Sequence, residues 1–156
     1  MALAELLNPG KILLIESPPA DKLDLLRDML STCLAGTEPA SHEEAIRETL
    51  IARENSMSTG IGEGVAIPHC STEYVDEMHA TLALLGKDLD FKALDERPVR
   101  IVVLLLMPRS KFEKHIRTLA TIAKLFKDGG FREQVLAVES PERAHDLIMA
   151  RLKELD

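Results

Sequence analysis

The chain has 156 residues, 46% of them hydrophobic, and a formal net charge of −7. That length suits one domain spanning residues 1–156, which would bury about 68–70% of its unfolded surface. The acidic balance argues against the basic stripe of a nucleic-acid surface, and 3% aromatics with no Trp leaves no stacking platform for bases or sugars.

Two cysteines, Cys33 and Cys70, stand at no metal-ligand spacing and read as reduced cytosolic thiols. The start, Met1-Ala2-Leu3-Ala4-Glu5, lacks the basic region of a signal peptide. The longest uniform apolar run, Ile101 to Met107, is far below the ~20 residues a membrane helix needs. A cytoplasmic chain with no direct membrane insertion is expected, and an acidic surface suits a basic protein partner.

In chain order, Lys11 to Ile15 forms the first strand candidate, bounded by Pro9-Gly10 and Ser17-Pro18-Pro19. Asp21 caps the helix that follows, with Leu23, Leu26, Leu30 and Leu34 near one face and Leu25 and Met29 beside them. Cys33 falls near that face and reads as a buried structural thiol. Gly36 stops the helix. Ser41-His42-Glu43-Glu44 has the form of a capping box. The second helix then turns Ala45, Ile46, Thr49 and Leu50 inward and places Arg53 near its end, where an Arg ordinarily complements the helix dipole.

Ser71 to Glu77 reads as a polar loop. Met78, Ala80, Leu82 and Leu84 alternate with His79, Thr81, Ala83 and Leu85, the pattern of a strand. Gly86 to Pro98 is a charged connector, and Val99 to Met107 is a strand apolar enough for burial on both faces. Ser110-Lys111-Phe112-Glu113 resembles a second capping box. The helix it opens is expected to turn Phe112, Ile116, Leu119, Ala120, Ala123 and Phe126 inward, with His115 in its first turns. Asp128-Gly129-Gly130 breaks the chain before a short helix with Val135 and Leu136. Ser140-Pro141 opens the last helix, with Ala144, Leu147, Ile148 and Leu152 inward and His145 on the surface. The expected class is α/β: a layered sandwich with a mixed sheet of about four to five strands flanked by helices.

The stretch most suggestive of chemistry is Ser58-Thr59-Gly60-Ile61-Gly62-Glu63-Gly64-Val65-Ala66-Ile67-Pro68-His69-Cys70. Alternating glycines permit positive φ and close backbone approach. Val65 to Ile67 reads as a short buried strand, and Pro68 holds Ile67 extended. His69 thus sits at a defined corner beside a loop rich in N–H groups, which suit an anion. On spacing alone His69 is also readable as an ordinary turn histidine, and His115 as a partly buried structural one.

Ser58 to Cys70, with Arg53-Glu54 upstream, resembles the active-site signature of the type-2 EIIA family of the phosphoenolpyruvate-dependent phosphotransferase system, its fructose, mannitol and nitrogen-regulatory class. Asp90-Phe91 and the later helix bearing His115 extend the resemblance over most of the chain. It implies a phosphotransferase in which Nε2 of His69 carries a phosphoryl group, Arg53 neutralises it and His115 donates to it. Thr59 and the amides around Gly60, Gly62 and Gly64 would complete the cradle. The implied donor is phospho-HPr and the acceptor an EIIB protein or domain, in sugar uptake. In the alternative, nitrogen-regulatory role, the phosphorylation state controls regulated proteins. No cofactor and no metal is required. A zinc site from His69, Cys70 and a distant His is the reading outside the family, without ligand spacing to support it. Cys70 is taken as the small residue the corner needs, and oxidation of Cys70 gating His69 is the other reading of that thiol.

Overall fold

The computed structural model describes residues 2–110 and 112–155, without the side chains of Ala2, Ala4 and Phe112. A mixed sheet contains β1 (Ile12–Ile15), β2 (Gly60–Gly62), β3 (Val65–Ala66), β4 (His69–Thr72), β5 (His79–Leu89) and β6 (Val99–Pro108). Their order is β1-β5-β6-β3-β2, with β4 also paired to β6. β5 and β6 are antiparallel, as are β2 and β3, while β1 runs parallel to β5, and β3 and β4 run parallel to β6. The sheet has six strands where four to five are expected. The difference lies in residues 60–72, which form three short strands; the expected polar loop from Ser71 begins two residues later, because β4 stays on β6 through Thr72.

Helices α1 (Ala2–Leu6), α2 (Lys22–Leu34), α3 (Glu43–Ser56), α4 (Phe112–Leu125), α5 (Gly129–Leu136) and α6 (Pro141–Leu155) complete the fold. β6 divides the core. Its Val102, Leu104 and Leu106 meet Leu26, Leu30, Ile46 and Leu50 of α2 and α3. Its Ile101, Val103 and Leu105 meet Ile122 and Leu125 of α4, Val135 of α5 and Ile148 of α6. That is why the sequence of this strand is apolar without alternation: both faces are covered. Each fully buried Leu or Ile in it favours folding by about 1.5–3 kcal/mol, set against the entropy of ordering the chain.

Local signals set several helix starts. Asp21 accepts a hydrogen bond from the Leu23 N–H at 2.8 Å, and Ser140 one from the Arg143 N–H at 3.1 Å, as their positions suggest. The capping box at Ser41 does not form. A 3₁₀ turn over Glu38–His42 runs straight into α3, Ser41 bonds back to the Glu38 carbonyl, and Glu43 instead accepts from Ser31 of α2 at 2.8 Å. The box at Ser110 to Glu113 and the inward placement of Phe112 lie outside the described residues.

Two faces are rotated from their expected positions. In α3 the buried residues are Ile46, Leu50 and Glu54, and Thr49 is exposed. In α4 the inward face carries His115, Thr118, Ile122 and Leu125, while Ile116, Ala120 and Ala123 are exposed. The spacing three-four-three of the buried set is a proper helical stripe. It was disguised because two of its members are polar and the outward face carries apolar residues.

Candidate active site

β3 and β4 behave as one strand broken at its middle. Val65 and Ala66 face Ile101 and Val102, and His69 and Cys70 face Leu105 and Leu106, with the same offset on both sides of the break. Pro68 has no N–H to give the ladder, but its carbonyl accepts from the Leu105 N–H at 3.0 Å, so register is kept. Alternation puts Val65 and Ile67 in the core layer beneath α4, and Ala66 and Cys70 in the layer beneath α2 and α3. His69 follows Ile67 on the α4 side of this edge, and it is half-buried.

The imidazole is oriented by its own chain. Nδ1 of His69 lies 2.7 Å from the Ile67 carbonyl oxygen. A carbonyl only accepts, so Nδ1 carries the proton and the neutral ring leaves Nε2 with its lone pair. Burial lowers the pKa of His69 below its ordinary 6.5, the Ile67 hydrogen bond raises it, and the Arg53 charge lowers it. The ring therefore stays neutral and nucleophilic at neutral pH.

His69 lines a depression of about 390 Å3 together with Thr49, Arg53, Cys70, Ser71, Met107, His115, Ile116 and Leu119. Three of the residues singled out in the sequence, His69, Arg53 and His115, are thus brought to one place from β4, α3 and α4. Arg53 is half-buried, and its Nη1 donates to the Met57 carbonyl at 3.0 Å. One N–H of the guanidinium holds it in place; the fork geometry suits a planar oxyanion with the rest. His115 is 3% exposed. The walls are mostly apolar, and Ile116 is 50% exposed at the rim. A larger hollow of about 670 Å3, between the β2–β3 hairpin and the end of α4, is lined by Ile61, Glu63, Asp95, Arg97, Phe126 and Lys127 among others. No histidine or cysteine lines it, so imidazole chemistry belongs to the smaller depression.

Four residues expected in the phosphate cradle, Thr59, Gly60, Gly62 and Gly64, lie outside this depression. Thr59 is buried, and both its N–H and its hydroxyl donate to Glu54. The Gly60 N–H donates to Ser58 Oγ, and the Glu63 N–H to Asp95. The positive φ of Gly62 and Gly64 turns the β2–β3 hairpin. These bonds shape the strand that carries His69; a glycine loop is open to either use, turning the chain or meeting an anion. The apolar wall formed by Met107, Ile116 and Leu119, and the Ile67 carbonyl, were not singled out from sequence. Glu54 carried a usable signal: it continues the Ile46–Leu50 stripe at helical spacing, and an acid on a core-facing stripe has to be paired.

Cys70 is buried beside the histidine, and burial, then the proximity of Cys33, pushes its pKa up to about 12. Little thiolate exists near neutrality, which suits a packing role and opposes ready oxidation.

An edge histidine with a carbonyl-held Nδ1, beside an arginine and a second histidine, defines a site suited to covalent phosphoryl chemistry on an α/β sandwich. The chain belongs to the family described as "Phosphoenolpyruvate-dependent sugar phosphotransferase system, EIIA 2", whose profile matches residues 5–150. It is 26% identical to the fructose-specific EIIA component of Haloferax volcanii, covering 91% of this chain and 92% of that protein. It is 30% identical to the nitrogen regulatory protein of Pseudomonas aeruginosa, covering 94% of each. The crystal structure of nitrogen regulatory protein IIA-Ntr from Neisseria meningitidis superposes with a TM-score of 0.84 at 25% identity, over 95% of this chain and 99% of that one.

Proposed function

We propose that the chain is a single-domain cytoplasmic phosphocarrier that takes a phosphoryl group from phospho-HPr on His69 and hands it to an EIIB partner in carbohydrate uptake. The observation that carries this reading is the 2.7 Å contact of His69 Nδ1 with the Ile67 carbonyl, which leaves Nε2 as the nucleophile in an open depression. In the first step the Nε2 lone pair attacks phosphorus in line while the donor's N–P bond breaks; Nδ1 keeps its proton on Ile67. Arg53 meets the charge on the equatorial oxygens, and His115 donates a hydrogen bond to the group in transfer. In the second step the new N–P bond breaks as an acceptor cysteine sulfur on the partner takes phosphorus. The apolar wall around Met107, Ile116 and Leu119 lets a partner cover the site and exclude water.

The second reading is a nitrogen-regulatory carrier whose phosphorylation state controls partner proteins without sugar transport. It is favoured by the match to the P. aeruginosa protein along 94% of each chain.

Incubation with phosphoenolpyruvate, enzyme I and HPr tests both. One acid-labile phosphoryl group per chain is expected, absent in His69→Ala and formed more slowly in His115→Ala. A His69→Ala protein that is still phosphorylated overturns the proposal. Passage of the group to fructose- or mannitol-type EIIB supports the first role. No such passage, with partner binding that depends on phosphorylation, supports the second.

A further inference from the structure

Glu54 is 2% exposed, yet its carboxylate is not part of the depression. Removing a carboxylate from water costs several kcal/mol, and a buried ion pair is on its own poor evidence for stability. Each hydrogen-bond partner of this carboxylate belongs to the framework, and its charge also reaches His69, whose pKa it raises against the larger lowering by burial. Its Oε2 accepts from Lys22 Nζ at 2.7 Å and from the Thr59 N–H at 3.0 Å, and its Oε1 from the Thr59 hydroxyl at 2.5 Å. Lys22 also donates to the Phe91 carbonyl at 3.1 Å and sits 5.4 Å from the centre of that ring. Ser58 donates to the same carbonyl at 2.6 Å. One carboxylate therefore joins the end of α3, the start of α2, the loop before β2 and the connector after β5.

The loop it holds leads in two directions to the reacting groups. Thr59, fixed by Glu54 through its N–H, accepts from the Ile67 N–H at 3.0 Å through its carbonyl. Ile67 in turn holds His69 Nδ1 at 2.7 Å. Two residues before Thr59, the Met57 carbonyl accepts from Arg53 at 3.0 Å. The ring and the guanidinium are thus both hung on one backbone segment, and that segment is tied to a single buried acid.

We propose that Glu54 is a positioning residue for phosphoryl transfer: through Thr59 and Ile67 it fixes the tautomer and orientation of His69, and through the same loop it fixes Arg53. Lys22, 2.7 Å from Oε2, holds the carboxylate in place. The proposal rests on the reading of His69 as the carrier. A rigid carboxylate suits this task because its two oxygens take the Thr59 N–H and hydroxyl together, so the residue can neither rotate nor slide. A well-packed apolar residue would fill the space but leave the Thr59 N–H buried without an acceptor.

The test uses Glu54→Gln, which keeps the shape and loses the charge, with Thr59→Val and Thr59→Ser as a pair that removes or keeps only the hydroxyl. Two readouts are taken: rapid-quench transfer from phospho-HPr, and the ¹⁵N signals of the His69 ring. In Glu54→Gln the maximal transfer rate should fall between tenfold and about 10²-fold, the scale of a reacting group misplaced by an ångström. The KM for the donor should stay constant. The ring should change from a single Nδ1–H tautomer to a mixture. Thr59→Val should move both readouts the same way by less, and Thr59→Ser should restore them. A folded Glu54→Gln with one tautomer and a rate within twofold of wild type overturns the proposal. If that variant does not fold, identical readouts from Thr59→Val, Thr59→Ser and wild type overturn it. A wild-type protein that accepts no phosphoryl group refutes the carrier reading, and the ring signals of the variants then decide the positioning claim by themselves.

Discussion

Replacing Arg53 by Ala separates electrostatic assistance from simple binding. Folding should survive: the side chain is half-buried, and its bond to the Met57 carbonyl at 3.0 Å is worth about 0.5–1.5 kcal/mol. The loss in transfer should be larger. A unit charge about 4 Å from the developing phosphoryl charge contributes about 4 kcal/mol at an effective dielectric of 20, and partial exposure reduces that. Removal of one preorganised donor from a transition-state site costs ~3 kcal/mol. The two routes agree on a fall of about 10²-fold in the single-turnover rate. A second effect identifies the cause. Burial first, and the Arg53 charge after it, keep the His69 pKa below 6.5. Without Arg53 the inflection of rate against pH should move upward while the plateau drops. Rapid-quench transfer from phospho-HPr between pH 5 and 8 reads both. Arg53→Lys should recover part of the plateau, since it restores the charge and not the fork. A plateau within threefold of wild type for Arg53→Ala, with the inflection unmoved, refutes the assignment.

Three further outcomes follow from particular groups. For the wild type, the rate of phosphoryl acceptance should rise with pH to a plateau, with a midpoint below 6.5, because the neutral ring attacks and burial lowers its pKa; a midpoint above 6.5 would contradict the geometry. Stability should follow the same sign. His69 and His79 both have folded pKa values lowered chiefly by burial, so the unfolded chain binds more protons as pH falls, and Tm should drop on acidification from about pH 7 toward pH 5, above the carboxylate range. Gly60→Ala would bring a Cβ to 2.6 Å from the Ala93 Cβ and 3.0 Å from its Cα. That overpacking against backbone should cost about 1–3 kcal/mol, read as a Tm lowered by a few degrees, and an unchanged Tm would show that the connector gives way freely.

Residues with one-dimensional signals were legible in the sequence. The strand at 99–107, the Asp21 cap and the Ser140 cap depend on local chemistry and appear where the residues put them. The candidate site residues His69, Arg53 and His115, legible through the family resemblance, line one depression. What sequence did not reveal depends on which partner a group finds. Glycine-loop amides bind anions or shape turns, and here Ser58, Asp95 and the hairpin claim them. The buried face of α4 does not stand out as an apolar stripe, because it includes His115 and Thr118 while the exposed side includes Ile116. Hydrophobic periodicity assumes that the core is the only apolar neighbour a helix has.

The apolar outward side of α4 bears on function. A phosphohistidine carrier has two opposed needs. Its ring must be dry enough to remain neutral, and open enough for two different proteins to reach it. A strand in the middle of the sheet would meet the first need and defeat the second, and a surface loop would do the reverse. Pro68 resolves this at the sheet edge: it interrupts β3 and β4 without shifting their register on β6, so His69 is held by the ladder on one side and stands in the depression on the other. The half-exposed Ile116 and the neighbouring Leu119 then supply apolar surface to the depression, uncovered among the described residues. An apolar residue on the wrong face of a helix is thus the expected mark of a site that is finished only when a partner docks.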